Sequence, residues 1–231
     1  MKKEILKIEN IPAIIWGEKS DSLYIFVHGK MSNKDEAQGF AEISKPKGYQ
    51  VLSFDLPEHG DRKDEEYPCN AWNGIYDLGI IANYAQRNWN SINLYACSLG
   101  AYFSLLAYKN LPIKKCLFLS PILDMQRLMQ NMMKWSSISE QGLREKQVLP
   151  TPMGETLSWD YYCYVKENPV DKWGIPTAIL YGSEDSMTER EVVERFTECF
   201  NCDLTVLENG EHWFHTEQQL SFLEKWLCEH I

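Results

Sequence analysis

The stretch Asn93-Leu94-Tyr95-Ala96-Cys97-Ser98-Leu99-Gly100-Ala101-Tyr102-Phe103 carries a serine where an apolar, strand-like run gives way to helical spacing. A strand that turns sharply into a helix lifts the central residue of the turn clear of the sheet. The crowded backbone then leaves room only for small residues two positions to either side. Those positions hold Ala96 and Gly100. Ser98 is therefore placed as a candidate nucleophile. Serine is also a favoured helix N-cap, and a residue opening this helix would serve that simpler role equally well.

Outward from this turn, short apolar runs bounded by turn residues recur at Leu23 to Val27, Val51 to Phe54, Ile92 to Ala96, Cys116 to Leu119, Ala178 to Tyr181 and Leu204 to Leu207. Runs this short and this apolar suit strands buried on both faces of a parallel sheet. Between them, Ile75, Leu78, Ala82 and Ala85 make one helical stripe, and Leu220, Leu223 and Leu227 make another. Thr188 with Glu191 and Thr216 with Gln219 have the spacing of capping boxes. Two further strands, Glu4 to Ile8 and Ala13 to Trp16, are expected as an antiparallel edge. The alternation predicts an α/β domain with a doubly wound, mostly parallel sheet and right-handed crossovers.

One segment breaks the alternation. After Ser120-Pro121-Ile122, which follows the sixth strand, the sheet pattern does not resume until Pro176. The intervening residues read as helical, with Met125, Leu128, Met129 and Met132 on one face and Trp159, Tyr162 and Cys163 on another. An excursion from a strand's carboxyl end lies over the site that open α/β sheets form there. Residues 124–173 are thus expected to be a helical cap, inserted into a core made of 1–123 and 174–231.

Composition narrows the function. A net charge of −10 over 231 residues argues against a nucleic-acid partner, because phosphate contacts need clustered Lys and Arg. No stretch approaches the roughly 18 consecutive apolar residues of a membrane span. The first residues lose their apolar character too soon for a secretory segment, so a cytoplasmic, soluble protein is expected. Seven cysteines, an odd number spread along the chain and mostly within apolar runs, fit small buried hydrophobes in a reducing compartment. Cys199-Phe200-Asn201-Cys202 has no second pair at zinc spacing, so neither a metal nor a cofactor is implied.

A serine nucleophile needs a general base, and the base needs an orienting carboxylate. Ala96-Cys97-Ser98-Leu99-Gly100 resembles the G-x-S-x-G elbow of the α/β-hydrolases, with alanine for the first glycine. Further segments are similar to that family in the same chain order. Ile179-Leu180-Tyr181-Gly182-Ser183-Glu184-Asp185 looks like its acid-bearing turn, and Leu207-Glu208-Asn209-Gly210-Glu211-His212 like its histidine loop. The resemblance, which spans Leu23 through His212, implies Asp185 as the acid and His212 as the base. Glu184 and His215 are the neighbouring alternatives.

Tyr24-Ile25-Phe26-Val27-His28-Gly29-Lys30-Met31 resembles the family's early strand ending in His-Gly. By that match the backbone N–H groups of Lys30 and Leu99 form the oxyanion hole, with Met31 replacing Lys30 if the loop register shifts. His28 is expected to be buried and bonded to backbone. Asp55-Leu56-Pro57-Glu58-His59-Gly60 matches the family's Asp-x-Pro-Gly-His-Gly loop except that Glu58 stands where glycine is usual.

The resemblance implies a serine hydrolase that cleaves a carboxylic ester or thioester through an acyl-enzyme, with a small molecule as its partner. An acyltransferase would use the same acyl-serine and differ only in the acceptor. A non-catalytic binding protein on this fold is the third reading, against which a complete set of three residues argues. Met fills irregular apolar space and aromatic rings give rigid walls. Met31, Met129, Met132, Trp159 and Tyr162 are accordingly the expected substrate-binding side chains, the alternative being that the cap residues only dock the cap on the sheet.

Overall fold

Each central strand presents apolar side chains to both faces, and this two-sided pattern organises the molecule. The computed structural model describes residues 1–231. Its strands are β1 (Lys3–Ile8), β2 (Ile11–Trp16), β3 (Ser22–Val27), β4 (Tyr49–Phe54), β5 (Ser91–Cys97), β6 (Cys116–Leu119), β7 (Val148–Pro150), β8 (Thr156–Ser158), β9 (Thr177–Gly182) and β10 (Asp203–Leu207). The helices are α1 (Ala37–Ser44), α2 (Ala71–Asn88), α3 (Ser98–Tyr108), α4 (Met125–Trp135), α5 (Glu140–Lys146), α6 (Trp159–Glu167), α7 (Arg190–Phe200) and α8 (Glu217–His230).

Eight strands form one sheet in the order β1-β2-β4-β3-β5-β6-β9-β10, and β7 and β8 pair separately. The β1–β2 and β2–β4 pairings are antiparallel and the rest of the large sheet is parallel. On one face Leu23, Ile25, Val27, Leu94, Ala96, Phe118 and Ile179 join the core that α2, α3, α7 and the excursion after β6 cover. On the other, Tyr24, Phe26, Tyr95, Leu117 and Leu180 pack under α1 and α8. Adjacent residues thus serve opposite cores, as the period of a strand demands. No helix is long and apolar enough to cross a membrane.

Most of the expected helical seams form. Leu78, Ala82 and Ala85 are buried on α2. The α8 seam differs at its start: Leu220 is exposed, while Trp226 and Leu227 bury the helix against the sheet. Thr216 and Gln219 make the expected reciprocal capping box. Thr188 and Glu191 do not, because α7 begins at Arg190 and Thr188 donates its hydroxyl to the Pro121 carbonyl instead. That threonine is engaged in a turn described below.

Register aligns the strand ends. Val27 on β3 pairs with Ala96 on β5, and Cys97 pairs with Leu119 on β6, so the loops after these strands emerge side by side. Helix α3 then passes so close to β3 that a Cβ on Gly100 would sit 2.3 Å from the His28 carbonyl oxygen and 2.7 Å from that of Val27. Both obstacles are backbone atoms that cannot rotate away. Gly100→Ala is therefore expected to destabilise the fold by about 3 kcal/mol. Gly79→Ala, on α2 with nothing within 4 Å of the new methyl group, is expected to gain about 0.5–1 kcal/mol. Urea unfolding of both variants checks the contrast, and equal midpoints would show that the elbow tolerates a side chain.

Candidate active site

Ser98 opens α3 directly from β5 with φ of 48°, a left-handed conformation that strains any residue with a Cβ. The surroundings hold it there. Its carbonyl accepts the Ile122 N–H at 3.2 Å, and Gly29 lies so near that a Cβ there would stand 3.3 Å from the Ser98 Cβ. Ala96 beneath it is fully buried.

The loops after β9 and β10 are tied together before they reach the serine. Ser183 N–H donates to the Leu207 carbonyl at 3.0 Å, Glu184 N–H to that of Gly210 at 2.8 Å, and Asn209 N–H to Ser183 Oγ at 2.8 Å. The approach is close enough that a Cβ on Gly182 would fall 2.3 Å from the Gly210 carbonyl oxygen. Asp185, its side chain fully buried, accepts the Met187 and Thr188 N–H groups on Oδ1 at 2.8 and 3.0 Å. Thr188 in turn is pinned to Pro121. The other carboxylate oxygen lies 2.7 Å from His212 Nδ1, and His212 Nε2 lies 2.8 Å from Ser98 Oγ.

A carboxylate only accepts hydrogen bonds, so Nδ1 carries the proton and Nε2 presents its lone pair to the serine. The structure thus brings Ser98, His212 and Asp185 into one chain. Glu184 is exposed, and His215 turns to the Trp213 carbonyl at 2.9 Å and to Glu211 at 3.1 Å.

Leu99 lies in the first turn of α3, where helix N–H groups have no carbonyl one turn back. In the turn after β3, neither the Lys30 nor the Met31 N–H is bonded within the chain. His28 anchors this turn: Nδ1–H donates to the Gly29 carbonyl at 2.7 Å, and Nε2 accepts the Leu56 N–H at 3.1 Å. Glu58 adopts φ of 61°, the left-handed conformation for which glycine is usual, and its carboxylate accepts the Cys69 N–H at 2.7 Å.

A cleft of about 510 Å³ opens at Ser98 and Leu99. Its lining includes apolar side chains, Ile122, Met125, Leu128, Met129, Met132 and Leu157, and polar ones, Lys30, Glu58, His59, Glu155 and Thr156. Met31 also borders it. Within this lining the Lys30 ammonium pairs with Glu155. Cys69 is in the wall too, but burial first and Glu58 second push its thiol up to about 12, so it stays protonated and weakly nucleophilic.

Trp159 and Tyr162 do not line the cleft, which corrects the expectation drawn from their spacing. Tyr162 is buried beneath α4 and α5, where its hydroxyl donates to Glu140 at 3.0 Å and accepts from Gln130 at 3.3 Å. Trp159 packs on it at 5.9 Å. Tyr161, one residue away and turned by one helical step, reaches the cleft instead.

No protein-family model matches this chain, and no curated protein matches it. Solved structures do. A protein from Agrobacterium vitis superposes with a TM-score of 0.82 at 14% identity, covering 100% of this chain and 98% of the other. Alpha/beta hydrolase domain-containing protein 10 from mouse gives 0.75 at 15% over 99% and 98%. An esterase from Pyrococcus furiosus gives 0.69 at 21% over 99% and 89%. The fold is that of the α/β-hydrolases.

Burial pushes the His28 imidazole down from its ordinary 6.5 to about 4; the Gly29 bond opposes this and His59 adds to it. Between those two values the unfolded chain holds a proton that the native chain does not. Stability supplied by the neutral ring is therefore complete above pH 6.5 and lost as pH falls towards 4, amounting to about 3 kcal/mol. In denaturant titrations from pH 7 to 4, His28→Asn should start less stable and show a flatter decline by about that amount. A decline as steep as in the wild type would place the sensitivity elsewhere.

Proposed function

We propose that this protein is a serine hydrolase that cleaves a carboxylic ester or thioester of a small apolar acyl group. The observation that carries the reading is the continuous hydrogen-bonded chain Ser98–His212–Asp185. The fold, and the esterase among its structural neighbours, support it.

Ser98 Oγ attacks the acyl carbon while His212 Nε2 takes its proton, so no free alkoxide forms. Asp185 keeps the imidazole in the required tautomer and stabilises the imidazolium. Charge develops on the carbonyl oxygen, where the Lys30 and Leu99 N–H groups donate to it. His212 returns the proton to the leaving alcohol or thiol. Water, activated by the same imidazole, then breaks the acyl-serine. Residues 124–173 act as the cap, and α4 supplies the Met129 and Met132 wall against which the acyl chain lies.

Ser98 is expected to be the single residue modified by a fluorophosphonate, with labelling lost in Ser98→Ala. Asp185→Asn and His212→Ala should each lower kcat by about four orders of magnitude with little change in KM, and combination with Ser98→Ala should add little. Undiminished turnover of a p-nitrophenyl ester by Ser98→Ala would end this reading.

Along a series of alkyl esters, kcat/KM should rise roughly fourfold per methylene, equivalent to about 0.8 kcal/mol, until the cleft is full. Met129→Ala should move the optimum to a longer chain. A flat profile would assign the methionines to packing alone.

A further inference from the structure

Ser98, His212 and Asp185 stand on two separate pieces of backbone. The loops after β9 and β10, which bear Asp185 and His212, are tied to each other by the Ser183, Glu184 and Asn209 bonds. Ser98 belongs to the other piece, the turn from β5 into α3. Besides the His212–Ser98 bond, a further chain of hydrogen bonds joins the two pieces, and Thr188 is its centre.

Thr188 is buried, and each of its polar groups is engaged. Its N–H donates to Asp185 Oδ1 at 3.0 Å, its carbonyl accepts the buried Tyr181 hydroxyl at 2.9 Å, and its own hydroxyl donates to the Pro121 carbonyl at 3.1 Å. The first two bonds stay within β9 and its loop. The third leaves it. Pro121 lies in the segment after β6, and the next residue, Ile122, donates its N–H to the Ser98 carbonyl at 3.2 Å. Asp185, Thr188, Pro121, Ile122 and Ser98 thus form a bridge, which His212 closes into a ring.

The bridge is stiff at its middle. Ser120 opens the segment with φ of 42°, next to Ser98 with φ of 48°, and its N–H donates to the Leu180 carbonyl at 2.9 Å. A serine keeps such a backbone only where its surroundings fix it. The Pro121 ring removes the freedom of the following φ. Sheet register places the strand ends, but Asp185 lies beyond the end of β9 at Gly182, where ladder bonds no longer hold the chain.

We propose that Thr188 is a positioning residue whose hydroxyl, through Pro121 and Ile122, sets the distance between the acid–base pair and the nucleophile. This rests on the hydrolase reading above. A misplacement of about 1 Å can cost on the order of a hundredfold in rate. Because the Thr188 N–H and Tyr181 hold the rest of the turn, loss of the hydroxyl leaves Asp185 on His212 and loosens both from Ser98.

The test compares the wild type with Thr188→Val, which keeps the side-chain shape but cannot donate, and with Thr188→Ser, which can. Turnover of p-nitrophenyl butyrate is expressed per Ser98 titrated to completion by a fluorophosphonate, so unfolded molecules do not count. Thr188→Val should lower kcat and the rate constant of labelling by about ten- to a hundredfold, with KM changed by less than about twofold, since Thr188 does not border the cleft. Thr188→Ser should recover most of that loss. The His212 Nδ1 proton, bonded to a buried carboxylate, gives a far-downfield proton NMR signal assigned by its absence from His212→Ala, and it should persist unshifted in Thr188→Val. Thr188→Ala removes the same hydroxyl and replaces the valine variant if that one does not fold.

Wild-type kcat in Thr188→Val, a loss confined to KM, or a serine variant as slow as the valine one would each overturn the proposal. So would disappearance of the Nδ1 proton signal, because the hydroxyl would then serve to hold Asp185 itself. A wild type that neither turns over the ester nor labels ends the hydrolase reading and this proposal with it, whereas an active wild type matched by Thr188→Val ends the proposal alone.

Discussion

The left-handed backbone at Ser98 is the constraint from which the rest of the site follows. Such a conformation costs a residue with a Cβ of the order of 1–3 kcal/mol and persists only where its surroundings leave no alternative. Here β5 is locked on both sides by parallel partners, and α3 is held against β3 at Gly100. No residue separates these two fixed objects: Cys97 ends the strand and Ser98 begins the helix. Relaxing Ser98 would move either a central strand or a helix packed across the core, and each involves far more buried surface than the strain at one φ angle.

The same close packing decides what the sequence discloses. The central strands were legible because apolar residues on two successive faces leave a local trace, as in Leu23-Tyr24-Ile25-Phe26-Val27. The segments bearing Ser98, Asp185 and His212 were legible because each is a strand end followed by small residues whose purpose is steric. Gly182 and Gly210 are a case in point, since they allow two loops to touch.

The helical excursion after β6 was not legible in this detail. Trp159, Tyr161, Tyr162 and Tyr164 surround α6, and its intrinsic periodicity gives no reason to prefer one ring over another. The choice is made by tertiary partners: Glu140 and Gln130 claim Tyr162, and Trp72 braces Tyr161. Thr188 was misread for a related reason. Its spacing to Glu191 satisfies a local rule, but its N–H is bonded to Asp185 and its hydroxyl to Pro121, so the capping interaction loses to the turn that holds the Asp185 carboxylate.

Beneath the Lys30 turn, the loops after β3 and β4 are joined by buried charge. The Asp55 carboxylate, fully buried, accepts the Lys34 N–H at 2.9 Å, the Lys34 ammonium at 2.7 Å and the Asp61 N–H at 3.0 Å. Burial alone would lower the Lys34 ammonium, but its bonds to Asp55 and Asp61 outweigh that and hold it above its ordinary value. Gly60 must be glycine, because a Cβ there would lie 2.2 Å from the Asp55 carboxylate.

As a source of net stability such a pair is poor, since desolvating two charges offsets most of their attraction. Its directional bonds do something that apolar packing cannot. They admit one relative placement of the two loops, and with His28 bridging Gly29 to Leu56 they fix the backbone that leads into Lys30. A donor aimed at developing charge stabilises it most when it need not reorganise. Under the proposed mechanism, the buried ions are therefore better understood as setting geometry at the Lys30 N–H than as holding the fold together.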